Sequence, residues 1–440
     1  MIKILQVRNI DSFVESRRQK TSEKDRKTVQ SILNDVRKNG DSAVRKYEQK
    51  FNGRSTSQLR VSAKEIKEAQ SQLLPFEANA IEAMMEYTVQ AEEVLQNYLP
   101  KQDSITNEDP EGVSKVGIAR SFVPIPSVGC YIPGSQARYP SSVVMSVYTA
   151  KIAGVKRIVV VSPPGRDGKI DPLTKMAAKM CGATEIYKVG GAQAIGALAY
   201  GTKSIAKVDK IVGPGGKFVS IAKSLVSDQT AIDMVAGPTE LGIIADASSD
   251  PELVALDLIS QAEHSKDTMC FVITQSKTIA KQIQKSIEKL ILGVERGSIV
   301  KESISKNGFI AVCKNENEVI ELANKIAPEH MELMVKNAKS LSKKITGAGL
   351  VLIGKNTPSA ASDYLLGTNH ILPTNGFGRT RGGLSVLDFL KIQTIVESPL
   401  DWLDMLSSYL ETITDAEDLP NHWKAIERRL DTIVKRSSDR

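Results

Sequence analysis

The sequence predicts an α/β protein with two parallel β-sheets, a helical N-terminal segment and a helical C-terminal tail. From about residue 127, short apolar runs alternate with helical segments, and most of these runs end in a glycine turn. The chain has 440 residues, which is too long for one ordinary hydrophobic core. We therefore expect more than one globular unit, each with its own sheet.

The N-terminal hundred residues have helical periodicity. Apolar residues recur at helical spacing up to Val36, and Asn39-Gly40 ends that segment. Ser62 and Glu65 have the spacing of a capping box, which predicts the start of another helix. We expect an N-terminal arm at residues 1–25, and we group residues 26–126 with residues 239–384 in one α/β domain.

A first series of strands and helices spans residues 127–238, which we expect to form the other α/β domain. Strand-like runs at 157–161, 185–189 and 210–212 each lead to a turn rich in glycine or proline. Asp171-Pro172 predicts a helix start, because Asp is a favoured N-cap and proline is favoured at the first helical position.

Two glycine turns of this series join a strand to a helix, at Gly190-Gly191 and at Gly213-Pro214-Gly215-Gly216. Their backbone N–H groups could bind a pyrophosphate, or the glycines could simply form α/β turns. The sequence has no G-x-G-x-x-G motif, so the usual dinucleotide fingerprint does not decide between these interpretations.

A second series fills residues 239–384, with strand-like runs at 241–245, 269–274, 308–312, 331–335 and 349–353. The tail at 385–440 is charged and poor in apolar residues, and we expect it to be helical.

The composition narrows the class of protein. The net charge is +7, but cations and acids are interspersed and aromatic residues make up only 5% of the chain, which favours solvated helix faces over a nucleic-acid surface. No apolar run is long enough to span a membrane, and the N-terminus lacks a signal peptide, so we expect a cytoplasmic protein.

The four cysteines lie far apart without a C-x-x-C pair, which predicts reduced, buried thiols. Any transition metal must therefore be held by His, carboxylate or amide groups.

Only four histidines occur, and each lies beside other polar residues: His264, His330, His370 and His422. Gln261 and His264 are three residues apart at the end of a helix that Asp250-Pro251 begins, so they share one face. This pair could bind a cation, or it could be a hydrogen-bonded core pair.

Glu329 and His330 follow Pro328 and precede a strand, and a carboxyl beside an imidazole could supply two proton acceptors. Asp363 and His370 lie in a polar stretch after the run at 349–353, where α/β proteins often place their sites at the carboxyl ends of strands. His422 lies at the start of a helix, where it could bind a ligand or simply cap the helix. A set of Gln, His and Asp side chains suits zinc, with manganese or cobalt as alternatives.

Seven segments in this order resemble the histidinol dehydrogenase family over nearly the whole chain. They are Ser127-Val-Gly-Cys-Tyr-Ile-Pro-Gly134, Val189-Gly-Gly-Ala-Gln-Ala194, Lys210-Ile-Val-Gly-Pro-Gly215, Asp233-Met-Val-Ala-Gly-Pro-Thr-Glu240, Gln261-Ala-Glu-His264, Ala327-Pro-Glu-His330-Met-Glu-Leu333, and Asp363-Tyr364 with Gly367-Thr-Asn-His370-Ile-Leu-Pro373.

This resemblance implies two incomplete Rossmann-like domains and a zinc-dependent oxidation of L-histidinol to L-histidine with two NAD, the last step of histidine biosynthesis. It implies one Zn²⁺ per subunit, and Glu329 and His330 as the acid/base pair. It also implies a homodimer in which the tail completes the partner's site. The implied zinc ligands are Gln261, His264, Asp363 and His422. The implied substrate contacts are these four with Thr239, His330 and Glu417, and the implied NAD contacts are Tyr131, Gln193 and Gly216.

This chain departs from the family at two of these positions: Thr239 stands where Ser is usual, and Gly216 stands where Asn is usual. Three other functions remain open on the sequence alone. They are a zinc and NAD dehydrogenase of another amino or sulfonated alcohol, a zinc hydrolase that uses Glu329 without a nucleotide, and a basic nucleic-acid-binding protein.

Overall fold

The computed structural model describes residues 1–18, 22–53, 58–97, 104–105, 117–134 and 138–438. Its strands are β1 (Lys3–Gln6), β2 (Ser104–Ile105), β3 (Gly117–Pro124), β4 (Ser127–Tyr131), β5 (Arg157–Ser162), β6 (Glu185–Lys188), β7 (Lys210–Val212), β8 (Ala231–Ile232), β9 (Glu240–Ala245), β10 (Met269–Thr274), β11 (Phe309–Val312), β12 (His330–Met334), β13 (Leu350–Ile353) and β14 (Leu390–Glu397).

The α-helices among these residues are α1 (Ile10–Glu15), α2 (Glu23–Asn39), α3 (Asp41–Asn52), α4 (Ala63–Gln72), α5 (Pro75–Gln96), α6 (Pro140–Val143), α7 (Thr149–Ile152), α8 (Pro172–Met180), α9 (Gly191–Tyr200), α10 (Lys217–Val226), α11 (Pro251–Ala262), α12 (Lys277–Leu290), α13 (Gly297–Lys306), α14 (Glu316–Ile326), α15 (Ala338–Ser342), α16 (Ser359–Ser362), α17 (Leu400–Met405), α18 (Ser407–Ala416) and α19 (Pro420–Ser438).

Two parallel sheets confirm the predicted fold class. One has six strands in the order β1-β11-β10-β9-β12-β13, and the other has five in the order β6-β5-β4-β7-β8. Apart from the added β1, both follow the pattern 3-2-1-4-5 of a Rossmann-like sheet, with the first strand of each series at the centre. Strands β4, β9, β10, β11 and β12 are buried along their whole length, as expected for parallel sheets covered by helices.

Local end signals of the helices are confirmed. α2 ends at Asn39, and Gly40 follows with a positive φ of 50°. Ser62 and Glu65 form the predicted capping box of α4. Asp171 and Asp250 accept backbone N–H groups at the starts of α8 and α11, each with proline in the first turn. These signals are readable in sequence because each involves residues within one helical turn.

The N-terminal segment differs from the helical expectation at its start. β1 pairs in parallel with β11, so residues 3–6 form the edge of the six-stranded sheet. α2 and α3 pack on α9, and their apolar residues share one core with the strands of the five-stranded sheet. The sequence analysis grouped these helices with residues 239–384, but their apolar side chains pack on the five-stranded sheet instead. Residues 54–57, 98–103 and 106–116 of that predicted segment lie outside the described residues.

The chain forms two compact units. One, the main unit, comprises residues 1–94 and 125–389 and contains both parallel sheets. The division of this unit into the two expected α/β domains stays a prediction. The other comprises residues 95–124 and 390–440. It has an antiparallel sheet in the order β14-β3-β2, and α19 packs against α17 and α18.

The sequence predicted a helical tail, and this is wrong for residues 390–397, which form a strand paired with β3. Its two isoleucines, threonine and valine are β-branched and favour this strand. No described helix combines the length and apolarity needed to cross a membrane. All four cysteines are buried and free, as predicted.

Candidate active site

A buried carboxyl–imidazole pair lies at the amino edge of the six-stranded sheet. His330 begins β12, and its neighbour in the sheet is Leu241 of β9. Glu329 Oε2 accepts the backbone N–H of Glu240 at 3.0 Å, which ties the two strand starts together. Glu329 is 7% exposed and His330 is 1% exposed, so the surrounding protein controls the proton affinity of both groups.

Burial raises the pKa of Glu329 to about 7, although the neighbouring His330 opposes this shift. Burial alone would lower the pKa of His330, but the facing carboxyl groups of Asp363 and Glu329 outweigh it and raise that pKa. Both shifts suit proton transfer near neutral pH, because an acid/base group works best when its pKa lies near the working pH.

Asp363 lies beside this pair, with Oδ1 at 3.5 Å from His330 Nε2. Burial raises the pKa of Asp363, but the neighbouring His330 outweighs it, so the pKa is held below its ordinary value. Glu332 of β12 accepts the backbone N–H of Ser359 at 2.6 Å, which anchors the first residue of α16 just before Asp363. The sequence placed Asp363 at the carboxyl end of a strand; the chain instead returns after β13 and brings it to the start of β12.

His370 also belongs to this cluster. Its Nδ1 is 3.0 Å from the backbone oxygen of Asp363, and its Nε2 is 3.0 Å from Ser142 Oγ. Both ring nitrogens of His370 are therefore already hydrogen bonded, which makes it a support for the Asp363 backbone.

α11 delivers Gln261 and His264 to the same edge. α11 packs against α16, Gln261 is buried, and His264 lies two residues beyond the helix end. The His264 side chain is exposed, yet the surrounding protein partly desolvates its imidazole and so lowers its pKa. The charge of Asp363 partly opposes this shift. The lowered pKa favours the neutral imidazole, which is the form that binds metal ions.

The donor set fits a metal ion only in part. Among the described residues, no three His, Cys, Asp or Glu side chains are grouped to hold one. His264 and Asp363 nevertheless interact electrostatically. Nδ1 of the buried His330 has no hydrogen-bond partner in the described part of the chain, and its Nε2 has only the long 3.5 Å contact with Asp363 Oδ1. Unsatisfied buried nitrogens beside a carboxylate indicate a site that a bound ligand would complete.

The other implied ligand-binding residues lie in different places. Thr239 immediately precedes β9 and is half-buried. Glu417 and His422 belong to the second compact unit, where both are exposed and His422 lies in the first turn of α19. The structure of the single chain therefore brings Glu329, His330, Asp363 and His264 together within one unit, with Gln261 on the helix that ends just before His264.

A cavity of about 760 Å³ lies at the carboxyl end of the five-stranded sheet, and Tyr131, Gln193 and Gly216 all line it. Tyr131 ends the central strand β4, next to β7, where the strand order reverses. This is the crevice in which open α/β sheets bind their ligands. Gly213 has φ +110°, and a Cβ there would lie 2.2 Å from the backbone oxygen of Tyr131, so the close approach of these loops requires glycine.

The two glycine turns differ in availability. The Gly190 N–H is taken by Glu48 Oε1 at 2.9 Å, and the Gly191 N–H by the Tyr131 hydroxyl at 3.1 Å. In the other turn, Asp233 Oδ2 accepts the Gly213 N–H at 2.8 Å, but Gly216, the N-cap of α10, has no side-chain cap and open space beside it. The Gly216 end of this turn is therefore the better candidate for an anionic ligand.

Sequence reasoning missed Glu48 and Glu240. Glu240 is buried, and burial raises its pKa to about 8. Neither residue lies in a local pattern typical of catalytic or metal-binding residues, although Glu240 is the last residue of one of the family segments. Their partners lie 142 and 89 residues away along the chain, so only the fold reveals them.

A buried carboxyl–imidazole pair at the edge of one parallel sheet, together with a cavity at the switch point of a second, is the arrangement of an α/β enzyme. The family model described as histidinol dehydrogenase matches residues 15–430. The chain belongs to the histidinol dehydrogenase family. These enzymes are NAD-dependent oxidoreductases that catalyse the final step of histidine biosynthesis, and membership implies NAD and a metal ion.

Individual relatives agree over most of their length. The histidinol dehydrogenase of Methanococcus maripaludis is 41% identical over 407 residues, which cover 92% of this chain and 93% of that protein. That of Bacillus cereus is 40% identical over 407 residues and 92% of each chain. The crystal structure of the Elizabethkingia anophelis enzyme has a TM-score of 0.90 at 32% identity and covers 98% of both chains.

Proposed function

We propose that this chain oxidises L-histidinol to L-histidine through L-histidinal, with reduction of two NAD. One alcohol, one water and two NAD⁺ give one carboxylate, two NADH and three protons. The observation that carries this assignment is the buried Glu329–His330 pair, in which Glu329 has a pKa near neutrality. A four-electron oxidation needs both a group that removes the alcohol proton and a group that activates water for the aldehyde.

We assign these steps to separate side chains. His330 accepts the hydroxyl proton as the first hydride leaves, and Asp363 beside its Nε2 stabilises the resulting imidazolium. Glu329 removes a proton from the water that adds to the aldehyde, since its carboxylate form is available above about pH 7. Thr239, immediately before the start of β9, and Glu417 are proposed as substrate contacts, together with the metal-ligand side chains.

We propose that Gln261, His264, Asp363 and His422 hold one Zn²⁺ per subunit. A neutral imidazole, a carboxylate kept ionised by its lowered pKa, and an amide oxygen suit this ion. Zinc would orient the amine and imidazole nitrogens of histidinol. Tyr131, Gln193 and Gly216 are the proposed NAD contacts, because all three line one cavity.

We further propose a homodimer whose tail completes the partner's site. His422 and Glu417 are exposed in the single chain. Among the described residues, no three His, Cys, Asp or Glu side chains are grouped to hold a metal ion, and in this proposal His422 of the partner subunit is added to Gln261, His264 and Asp363. We propose no role for nucleic acid.

The test is a turnover assay with purified protein, Zn²⁺, NAD and L-histidinol, following absorbance at 340 nm. We expect two NADH for each histidinol consumed, no activity after chelation, and recovery with Zn²⁺. Full turnover by protein shown to be metal-free would contradict the zinc assignment. NADH formation with another amino or sulfonated alcohol but not with histidinol would move the substrate to that class. Hydrolysis without NADH would indicate a zinc hydrolase.

A further inference from the structure

Glu48 is a buried carboxyl group with no part in the proposed proton transfers. It lies on α3 and is 2% exposed. Its Oε1 accepts the Gly190 backbone N–H at 2.9 Å and the Gln193 side chain Nε2 at 2.7 Å. Its Oε2 accepts Asn52 Nδ2 at 2.6 Å. α3 thus contacts the start of α9, beside the cavity proposed to bind NAD.

These contacts fix the direction of the Gln193 amide. Glu48 Oε1 already accepts a backbone N–H that cannot change roles, so it presents an acceptor to Gln193. Gln193 must therefore point its NH₂ group toward Glu48 and its oxygen away. Without Glu48, either end of the amide could face either way at comparable cost.

The opposite end of the amide is left without a partner. Gln193 is 1% exposed, and its Oε1 has no hydrogen-bond partner among the described residues. It lies beside Gly191, where an added Cβ would come within 2.8 Å of it. A buried acceptor without a donor costs free energy, and the adjoining cavity of about 760 Å³ is where a donor could enter.

We propose that Glu48 is a positioning residue for the cofactor: it holds Gln193 with Oε1 available to accept a hydrogen bond from an amide or hydroxyl group of NAD. This inference rests on the proposed function, because NAD as the occupant of the cavity is itself a proposal. Glu48 acts through Gln193 and does not itself contact the cofactor.

The experiment compares Glu48→Met, Gln193→Ala and the double variant in steady-state kinetics with NAD and histidinol varied separately. Met has a similar length but no oxygen to accept the Gly190 N–H or the Gln193 NH₂ group. Glu48→Met should raise the KM for NAD about five-fold, the effect of one neutral hydrogen bond. kcat and the KM for histidinol should stay within about two-fold, since Glu329 and His330 are untouched. In the Gln193→Ala background, Glu48→Met should have no further effect on the KM for NAD, because the residue through which it acts is gone.

Glu65→Met is the matched control. Glu65 also places a carboxylate at a helix N-terminus and bonds Lys188, but its partners Ser62 and Lys188 do not line the cavity, whereas Gln193 does. A loss of stability similar to that of Glu48→Met with an unchanged KM for NAD would show that destabilisation alone does not weaken cofactor binding. Titration of NADH binding by fluorescence, without turnover, should give the same ranking of variants.

Two results would overturn the inference: an unchanged or lower KM for NAD in Glu48→Met, or effects of Glu48 and Gln193 that simply add. A wild-type protein that forms no NADH from histidinol would instead overturn the proposed function. The two failures are therefore distinguishable in the same assay.

Discussion

Glu329 and His330 are neighbours in the chain, yet the fold raises their pKa values for different reasons. Burial raises the pKa of Glu329 from 4.5 to about 7, whereas facing carboxyl groups raise that of His330 against the effect of burial. At pH 7 a substantial fraction of Glu329 is ionised and able to act as a base. In water the same carboxyl would be fully ionised but a much weaker base.

Separate loss of the two half-reactions is therefore expected. Glu329→Gln should slow oxidation of supplied histidinal far more than oxidation of histidinol to the aldehyde, and His330→Asn should slow the alcohol step. Rapid mixing with each substrate measures both. In wild type, the aldehyde step should rise with pH through about 7 and level off above it, because the base must lose its proton. Equal losses in both steps for both variants, or the same pH dependence in Glu329→Gln, would refute this division.

Gly216 offers a test of the cofactor loop. Its φ of −64° is open to any residue, and a Cβ added there would meet no atom within 4 Å. Gly216→Asn, which restores the residue usual in the family, should lower the KM for NAD several-fold and leave the KM for histidinol unchanged. Gly216→Ala is the control, since it fills space without adding a hydrogen-bonding group. Equal effects of Asn and Ala would show that the amide makes no contact with NAD.

At the scale of elements, α11 links the two edges of its sheet. It has 12 residues, so it spans about 18 Å and carries its Asp250 cap far from His264. Asp250 accepts the N–H groups of Glu252 and Leu253. The helix start carries the cap, and the helix end carries Gln261 and His264, two of the proposed metal ligands.

Asp250→Ala should therefore lower the free energy of unfolding by about 1 kcal/mol with little effect on kcat, because fraying stays in the first turn. Urea unfolding and steady-state kinetics measure the two quantities. Ser276→Ala removes the equivalent cap of α12, which carries no site residue, and should cost about the same stability. A large loss of zinc or activity in Asp250→Ala alone would show that the cap also positions the metal ligands.

At the scale of the whole molecule, the proposed dimer makes a quantitative prediction. His264→Ala damages a site from the main unit, and His422→Ala damages it from the tail. In a mixed dimer of these variants, one site would collect both changes and the other would be intact. With random exchange about half the dimers are mixed, so co-refolded variants should recover about a quarter of wild-type activity. Each variant refolded alone is the control, and subunit exchange without recovery would mean that each chain supplies its own His422.

Local chemistry in the sequence determined the fold class and the helix ends, and it predicted several residues of the candidate site. Caps such as Ser62 with Glu65 and Asp250 with Pro251 are confirmed because their partners lie within one turn. Alternating strand and helix patterns predicted both parallel sheets. The scarcity of histidine pointed to His264 and His330, which the fold places near each other through Asp363.

Tertiary structure decided what depends on distant partners. Residues 3–6 form a strand because β11 offers an open edge, and residues 390–397 do so because β3 pairs with them. Asp363 lies beside His330 at the amino edge of the six-stranded sheet because the chain after β13 returns to the start of β12. The pKa of Glu329 is raised by burial among distant segments, and Glu48 contacts Gln193, which lies 145 residues away in the chain. No periodicity records such contacts, since each depends on how whole elements pack.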